Sequence, residues 1–354
     1  MSFASAQFLA FFAVLFVLYY LIPKRHQWKL LLIGSLFFYY FAGWYCLIYI
    51  GVTTVTTYLA ARKVGDLQRE QDAWLKEHRA ELDKDQRKAY KAAGKKLRWR
   101  WTLACLLLNF GILAVVKYTD FVLSNVNGVL SAAGSAAQLP MADLVLPMGI
   151  SFYTFQSMGY LIDVYWGKYP PERSLGKFAL FVTFFPQLIQ GPISRFGDLS
   201  QTLYTEHSWD SQQIAMGGMR VVWGFAKKLI VADRLAIPLR ELVSAPEEYT
   251  GVYVLAVMFL YAIQLYADFT GGIDITIGVS QMLGVKVTEN FERPFFSKNI
   301  AEYWRRWHIT MGTWFRDYVF YPLSVSKTVL KLHQKARAKL GEPGKRVSVY
   351  LCTI

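Results

Sequence analysis

Cysteine is scarce in this chain of 354 residues: Cys46, Cys105 and Cys352 are all it has. Each lies in or beside an apolar run, and none stands at a spacing that could hold a metal, so they read as packing residues. No internal repeat is present, and no Gly/Ser-rich or Pro-rich linker divides the sequence, which leaves a single domain over residues 1–354. The first apolar run has no basic segment ahead of it and no small-residue cleavage site. Lys24 and Arg25 follow it directly, so it reads as a retained helix with its N-terminus outside rather than a removed signal peptide. Apolar–polar alternation is missing, which excludes a membrane barrel, and no a/d repeat is sustained that would make a coiled coil.

Apolar and aromatic residues dominate instead. They make up 54% and 16% of the chain, and the mean hydropathy is +0.24, more apolar than a water-soluble domain can display. Runs such as "FLAFFAVLFVLYYLI", "WTLACLLLNFGILAVV" from Trp101 and "VYVLAVMFLYAIQLYA" from Val252 are long enough to cross about 30 Å of hydrocarbon as helix. The expected class is all-α: a polytopic transmembrane helical bundle with short, broken and re-entrant helices. Spans are predicted at 6–22, 30–61, 101–117, 143–166, 176–192, 212–232 and 252–283. The second is interrupted at Gly43, leaving two arms that are each short for a crossing.

The net charge of +14 resides mainly in two blocks beside apolar spans, residues 62–100 and 327–346. Lys and Arg in excess beside spans mark cytoplasmic loops, so the charge requires no nucleic-acid partner. The 62–100 block has little apolar surface and many i,i+4 pairs of opposite charge, and reads as a charged helical insertion at or beyond the cytoplasmic face.

Polar side chains at membrane depth are costly and therefore informative. Ser151, Gln156 and Asp163 follow Pro147 and Gly149 and suit interhelical hydrogen bonding. In "FFPQLIQGPISR", Pro186, Gly191 and Pro192 break a helix beside Gln187, Gln190 and Arg195; the break fits a cavity wall or a plain helix end. Gln264, Asp268 and Asp274 surround the Gly271–Gly272 pair. The aspartates call for structural ion pairs, with Arg293, Arg305, Arg306 and Arg316 as candidate partners.

The fourth cluster is residues 299–323, "NIAEYWRRWHITMGTWFRDYVFYPL", an amphipathic segment. Read as one helix, it places Trp304, His308, Met311 and Phe315 on an aromatic face and Glu302, Arg306, Thr310, Thr313 and Asp317 on a polar one. His26, His78, His207 and His333 sit in polar contexts, which leaves His308 as the histidine placed for chemistry. Desolvation, reinforced by neighbouring guanidinium groups, would keep it neutral and able to take a proton from an attacking hydroxyl. The tryptophans and arginines fit an interfacial anchor as well as an active-site lining.

The segments "YADFTGGIDITIGVSQMLGVKVTENFERPF", "YWRRWHITMGTWFRDYVFYPL", "FFPQLIQGPISR" and "LPMGISFYTFQ" together resemble the membrane-bound O-acyltransferases. Within that family the chain is most similar to the branch holding the membrane subunit of bacterial alginate O-acetylation and the exporter of D-alanyl groups for teichoic acid. The resemblance implies a funnel- or tunnel-centred enzyme of the bacterial cell (inner) membrane. It would bind no cofactor and would take an acyl group from a cytoplasmic thioester, acetyl-CoA or a carrier-bound form. It would pass that group towards a polysaccharide acceptor with help from an extracytoplasmic esterase-like transferase. His308 maps onto the family's Trp-Arg-Arg-Trp-His motif as the catalytic residue. Trp304, Arg305, Arg306, Trp307, Trp314, Arg316, Asp317, Gln187, Gln190, Asp268 and Asn290 would line the substrate path. The family's other histidine falls in a later span. Here "VSVYLCTI" reads as the start of such a span, so the chain is expected to be incomplete at its C-terminus. Non-catalytic scaffold or transporter roles are the rival class, and no inverted repeat supports them.

Overall fold

The computed structural model describes Phe3 and residues 5–135 and 137–341, and among these every regular element is helical. Cys352 and the "VSVYLCTI" stretch lie outside the described residues. Contacts group the chain into two compact units, one ending at Val287 and one beginning at Thr288.

The first unit starts with α1 (Ala6–Leu21), capped by the Ser5 hydroxyl, and α2 (Gln27–Tyr40). The expected interruption at Gly43 is real. Its φ of 129° suits glycine, and any Cβ there would collide with the Tyr45 ring. Two long helices follow, α3 (Trp44–Glu77) and α4 (Lys84–Ala132). The charged block 62–100 is helical, and it continues the two apolar helices as a hairpin that turns at residues 78–83. Trp74 stacks on Tyr90 at 4.1 Å. The Gln71 amide donates to the Tyr90 carbonyl at 2.7 Å and accepts from Arg98 at 2.6 Å, and Gly94 leaves it the room. An Asp83 capping box starts α4.

The predicted span at 143–166 is shortened, because Pro147 and a left-handed Gly149 delay the helix until α5 (Ile150–Trp166). The span predicted at 176–192 is split into α6 (Leu175–Thr183) and α7 (Phe185–Gln190), with Pro186 in the first turn of α7. Next come α8 (Phe196–Leu203), α9 (Ser211–Phe225), a π-helical stretch Ala226–Ala232, α10 (Asp233–Ser244) and α11 (Val252–Met282). Among the described residues, α3, α4 and α11 are long and apolar enough to cross a membrane, and α1 is a shorter apolar helix.

Helices α9 and α11 meet through glycine. A Cβ on Gly224 would lie 2.7 Å from the Gly271 carbonyl oxygen, and one on Gly217 would lie 2.8 Å from that of Gly278. The two contacts are seven residues apart on both helices and run in opposite senses, an antiparallel small-residue seam. This seam brings Arg220 to 2.9 Å from Asp274 and Lys228 to 2.6 Å from Asp268, and Lys227 also pairs with Asp274. The aspartate partners therefore come from upstream, not from the downstream arginines expected from the sequence.

The second unit holds α12 (Ile300–Arg306), α13 (Ile309–Phe315), a π-helical turn Arg316–Phe320, α14 (Tyr321–Ser324) and α15 (Lys327–Leu340).

Candidate functional site

The 299–323 segment is not one helix. Asn299 caps α12, accepting from the Glu302 amide at 2.8 Å. The Glu302 carboxylate accepts from the Lys298 amide at 2.9 Å and from Arg306 at 2.6 Å, and those donors hold it below the usual carboxylate range. The helix then stops, because the preceding loop captures its backbone. Glu292 donates its amide to the Arg306 carbonyl at 3.0 Å, and Ile309 donates to the Asn290 carbonyl at 2.9 Å. Trp307 is extended and His308 is left-handed, with φ 47° and ψ 52°.

A left-handed non-glycine residue costs about 1–2 kcal/mol. Asn290 holds it there. Its Oδ1 accepts from the Thr310 amide at 3.0 Å, the Thr310 hydroxyl at 2.9 Å and His308 Nδ1 at 3.2 Å. At about 1 kcal/mol net each, three such bonds exceed the conformational cost.

These contacts also fix the imidazole tautomer. The Thr310 amide can only donate, so the atom facing it is the Asn290 oxygen, and His308 Nδ1 must carry the proton that this oxygen accepts. The ring lone pair therefore lies on Nε2. His308 is 8% exposed and is the one buried histidine among the described residues. It stands outside the three membrane-length helices, and burial pushes its pKa down to about 4. The expected guanidinium contribution is not among the causes: Arg306 is paired with Glu302 and Arg316 with Asp317. Phe291 lies nearly parallel to the imidazole at 6.3 Å and edge-on to Trp307 at 5.0 Å, and Trp307 stacks on Tyr303 at 5.6 Å.

The break regroups the predicted faces. His308 shares the interior with Thr310, Trp314 and Tyr318, while Trp304, Arg305, Met311 and Phe315 are exposed. Of the sequence-selected residues, Asn290, His308 and Trp307 gather around one point. Arg316 pairs with its neighbour Asp317 on the π-helical turn.

Gln187, Gln190 and Asp268 belong to the first unit. There α7 packs against α11: the Pro186 carbonyl accepts from the Thr276 hydroxyl at 2.8 Å, and Gly272 makes room for the Gln190 amide. Gln187 donates to Ser194, and Gln156 donates to the Phe181 carbonyl at 2.8 Å, the interhelical role expected for it. Among the described residues no group of His, Cys, Asp and Glu could hold a metal. Thr310 and Phe291 were not selected from the sequence; their roles depend on the fold joining residues 290–292 to 306–310, and no local pattern announces that.

A model of the membrane-bound O-acyltransferase family matches residues 172–335. The probable alginate O-acetylase AlgI of Pseudomonas syringae pv. tomato is 36% identical over 329 residues, 91% of this chain and 57% of that protein. The namesake from Azotobacter vinelandii is 36% identical over 91% of this chain and 60% of its own length. The peptidoglycan O-acetyltransferase of Helicobacter pylori is 31% identical over 63% of this chain and 46% of that protein. The chain thus spans about three fifths of the length of its alginate-type relatives.

Proposed function

The chain belongs to the membrane-bound O-acyltransferase family, and on that premise we propose that it transfers an acetyl group from a thioester on the cytoplasmic side, acetyl-CoA, towards an exported or cell-wall polysaccharide. The carrying observation is His308: buried, neutral, and held with its proton on Nδ1 so that the Nε2 lone pair can take a proton. His308 acts as general base on the attacking hydroxyl and returns the proton to the leaving thiolate. Acetyl is favoured over D-alanyl because the alginate-type relatives align over 91% of the chain. In this reading the protein works in a bacterial cell membrane beside an extracytoplasmic esterase-like transferase that completes delivery.

The test uses membranes carrying the full-length gene product, supplied with [14C]acetyl-CoA or with carrier-bound D-alanine. Label should enter polymer from acetyl-CoA, and His308→Ala should lower the rate by about 10²–10⁴-fold, the usual contribution of a positioned base, while membrane insertion and helical content persist. Labelling from the D-alanyl carrier alone would overturn the acetyl reading. Undiminished transfer by the variant would reduce His308 to a packing residue.

A further inference from the structure

Among the described residues, the NH2 groups of buried side-chain amides follow a rule that one of them breaks. The NH2 groups of Gln27, Gln71, Asn109, Gln156 and Gln187 each donate to an acceptor. Asn290 Nδ2 does not, although Asn290 is 0% exposed. The amide cannot be turned to relieve this, because the Thr310 N–H fixes which atom faces it. A buried donor without an acceptor is costly, and a site where a ligand supplies the missing partner is one setting in which such a group persists.

We propose that Asn290 Nδ2 donates a hydrogen bond to the carbonyl oxygen of the bound acyl thioester, forming the subsite in which that oxygen becomes an oxyanion. The proposal rests on the acyl-transfer reading above. Three observations carry it: the orphaned N–H, the immovable orientation of its amide, and the fact that the same amide grips the imidazole. An acceptor on Nδ2 therefore sits beside the base rather than remote from it. Phe291 and Trp307 adjoin the site and give it an aromatic wall.

The acceptor hydroxyl oxygen bonds to the thioester carbon as its proton passes to His308 Nε2. The carbonyl π pair moves to oxygen, which accepts from Asn290 Nδ2. Collapse restores the carbonyl, breaks the C–S bond and sends the proton from Nε2 to the departing thiolate.

Asn290→Asp is the discriminating variant, since it keeps an acceptor for all three existing donors and exchanges the NH2 group for an acceptor oxygen. The charge it brings raises the imidazole pKa, and the pH profile separates that effect from loss of the donor. The full-length protein would be given [1-13C]acetyl-CoA and followed by turnover across pH and by the infrared carbonyl band of the bound thioester. Expected is a loss of turnover of about 10²–10³-fold that persists on the high-pH plateau, together with loss of the hydrogen-bonded carbonyl shift. His308→Ala should keep that shift while losing turnover. Wild-type turnover in Asn290→Asp, a defect that vanishes as pH rises, or a bound carbonyl unshifted in the wild-type protein would each overturn the assignment. A wild-type protein that binds acetyl-CoA with a shifted carbonyl yet transfers nothing would instead count against the function proposed above.

Discussion

His308 combines two unfavourable states, a left-handed backbone and a desolvated ring, and the second has a readable pH signature. Burial lowers the folded-state pKa to about 4, whereas the unfolded chain titrates near 6.5. As pH falls the unfolded state binds the proton first, so the stability contributed by the neutral ring is whole above about 6.5 and is lost as pH drops towards 4. Thermal unfolding should therefore show a decline in that window that is smaller in His308→Ala. The acid limb of transfer should centre near 4, and a limb at 6.5 would mean a solvated ring. Scarcity and the resemblance carried by the Trp-Arg-Arg-Trp-His motif singled out this residue in the sequence. The places of Thr310 and Phe291 beside it escaped because helical arithmetic assumes an unbroken helix, and the residues that break this one, Asn290 and Glu292, lie well upstream in the chain.

Among the elements, punctuation was legible and partnership was not. Gly43, Gly149 and Pro186 stop or split helices for local reasons, a required φ or a missing N–H, and the sequence displays such reasons directly. The pairing of Asp268 and Asp274 depends instead on which helix approaches α11, and that is decided by glycines on two separate helices. The seam gives a sharp comparison. Gly224→Leu forces a side chain against the Gly271 carbonyl and should destabilise the protein by about 1–3 kcal/mol. Gly218→Ala, six residues earlier with open space around it, should instead be neutral or stabilising by up to about 1 kcal/mol. Equal losses of melting temperature for the two, measured in the same detergent, would refute the seam.

For the molecule as a whole, composition declared the membrane and the all-helical class, and charge placement supplies an expectation for which ends of the spans share a side. The count of crossings was less readable, because several predicted spans are cut by breaks into helices too short to cross alone, α2, α6 and α7 among them. The α4 span can be checked directly. Cysteines placed at Ala80, in the α3–α4 turn, and at Ala133, just past α4, should react with an impermeant maleimide from opposite faces of membrane vesicles. Ala80 should label from the cytoplasmic side, and labelling of both from one face would show that α4 does not cross. The glycine clasp between α9 and α11 finally bears on how turnover can proceed. Two interlocked notches a heptad apart oppose sliding of one helix along the other, since at each the backbones approach too closely for any Cβ to pass. If the proposed transfer is right, this pair should move as one strut, and any opening that admits a donor should fall to other parts of the chain.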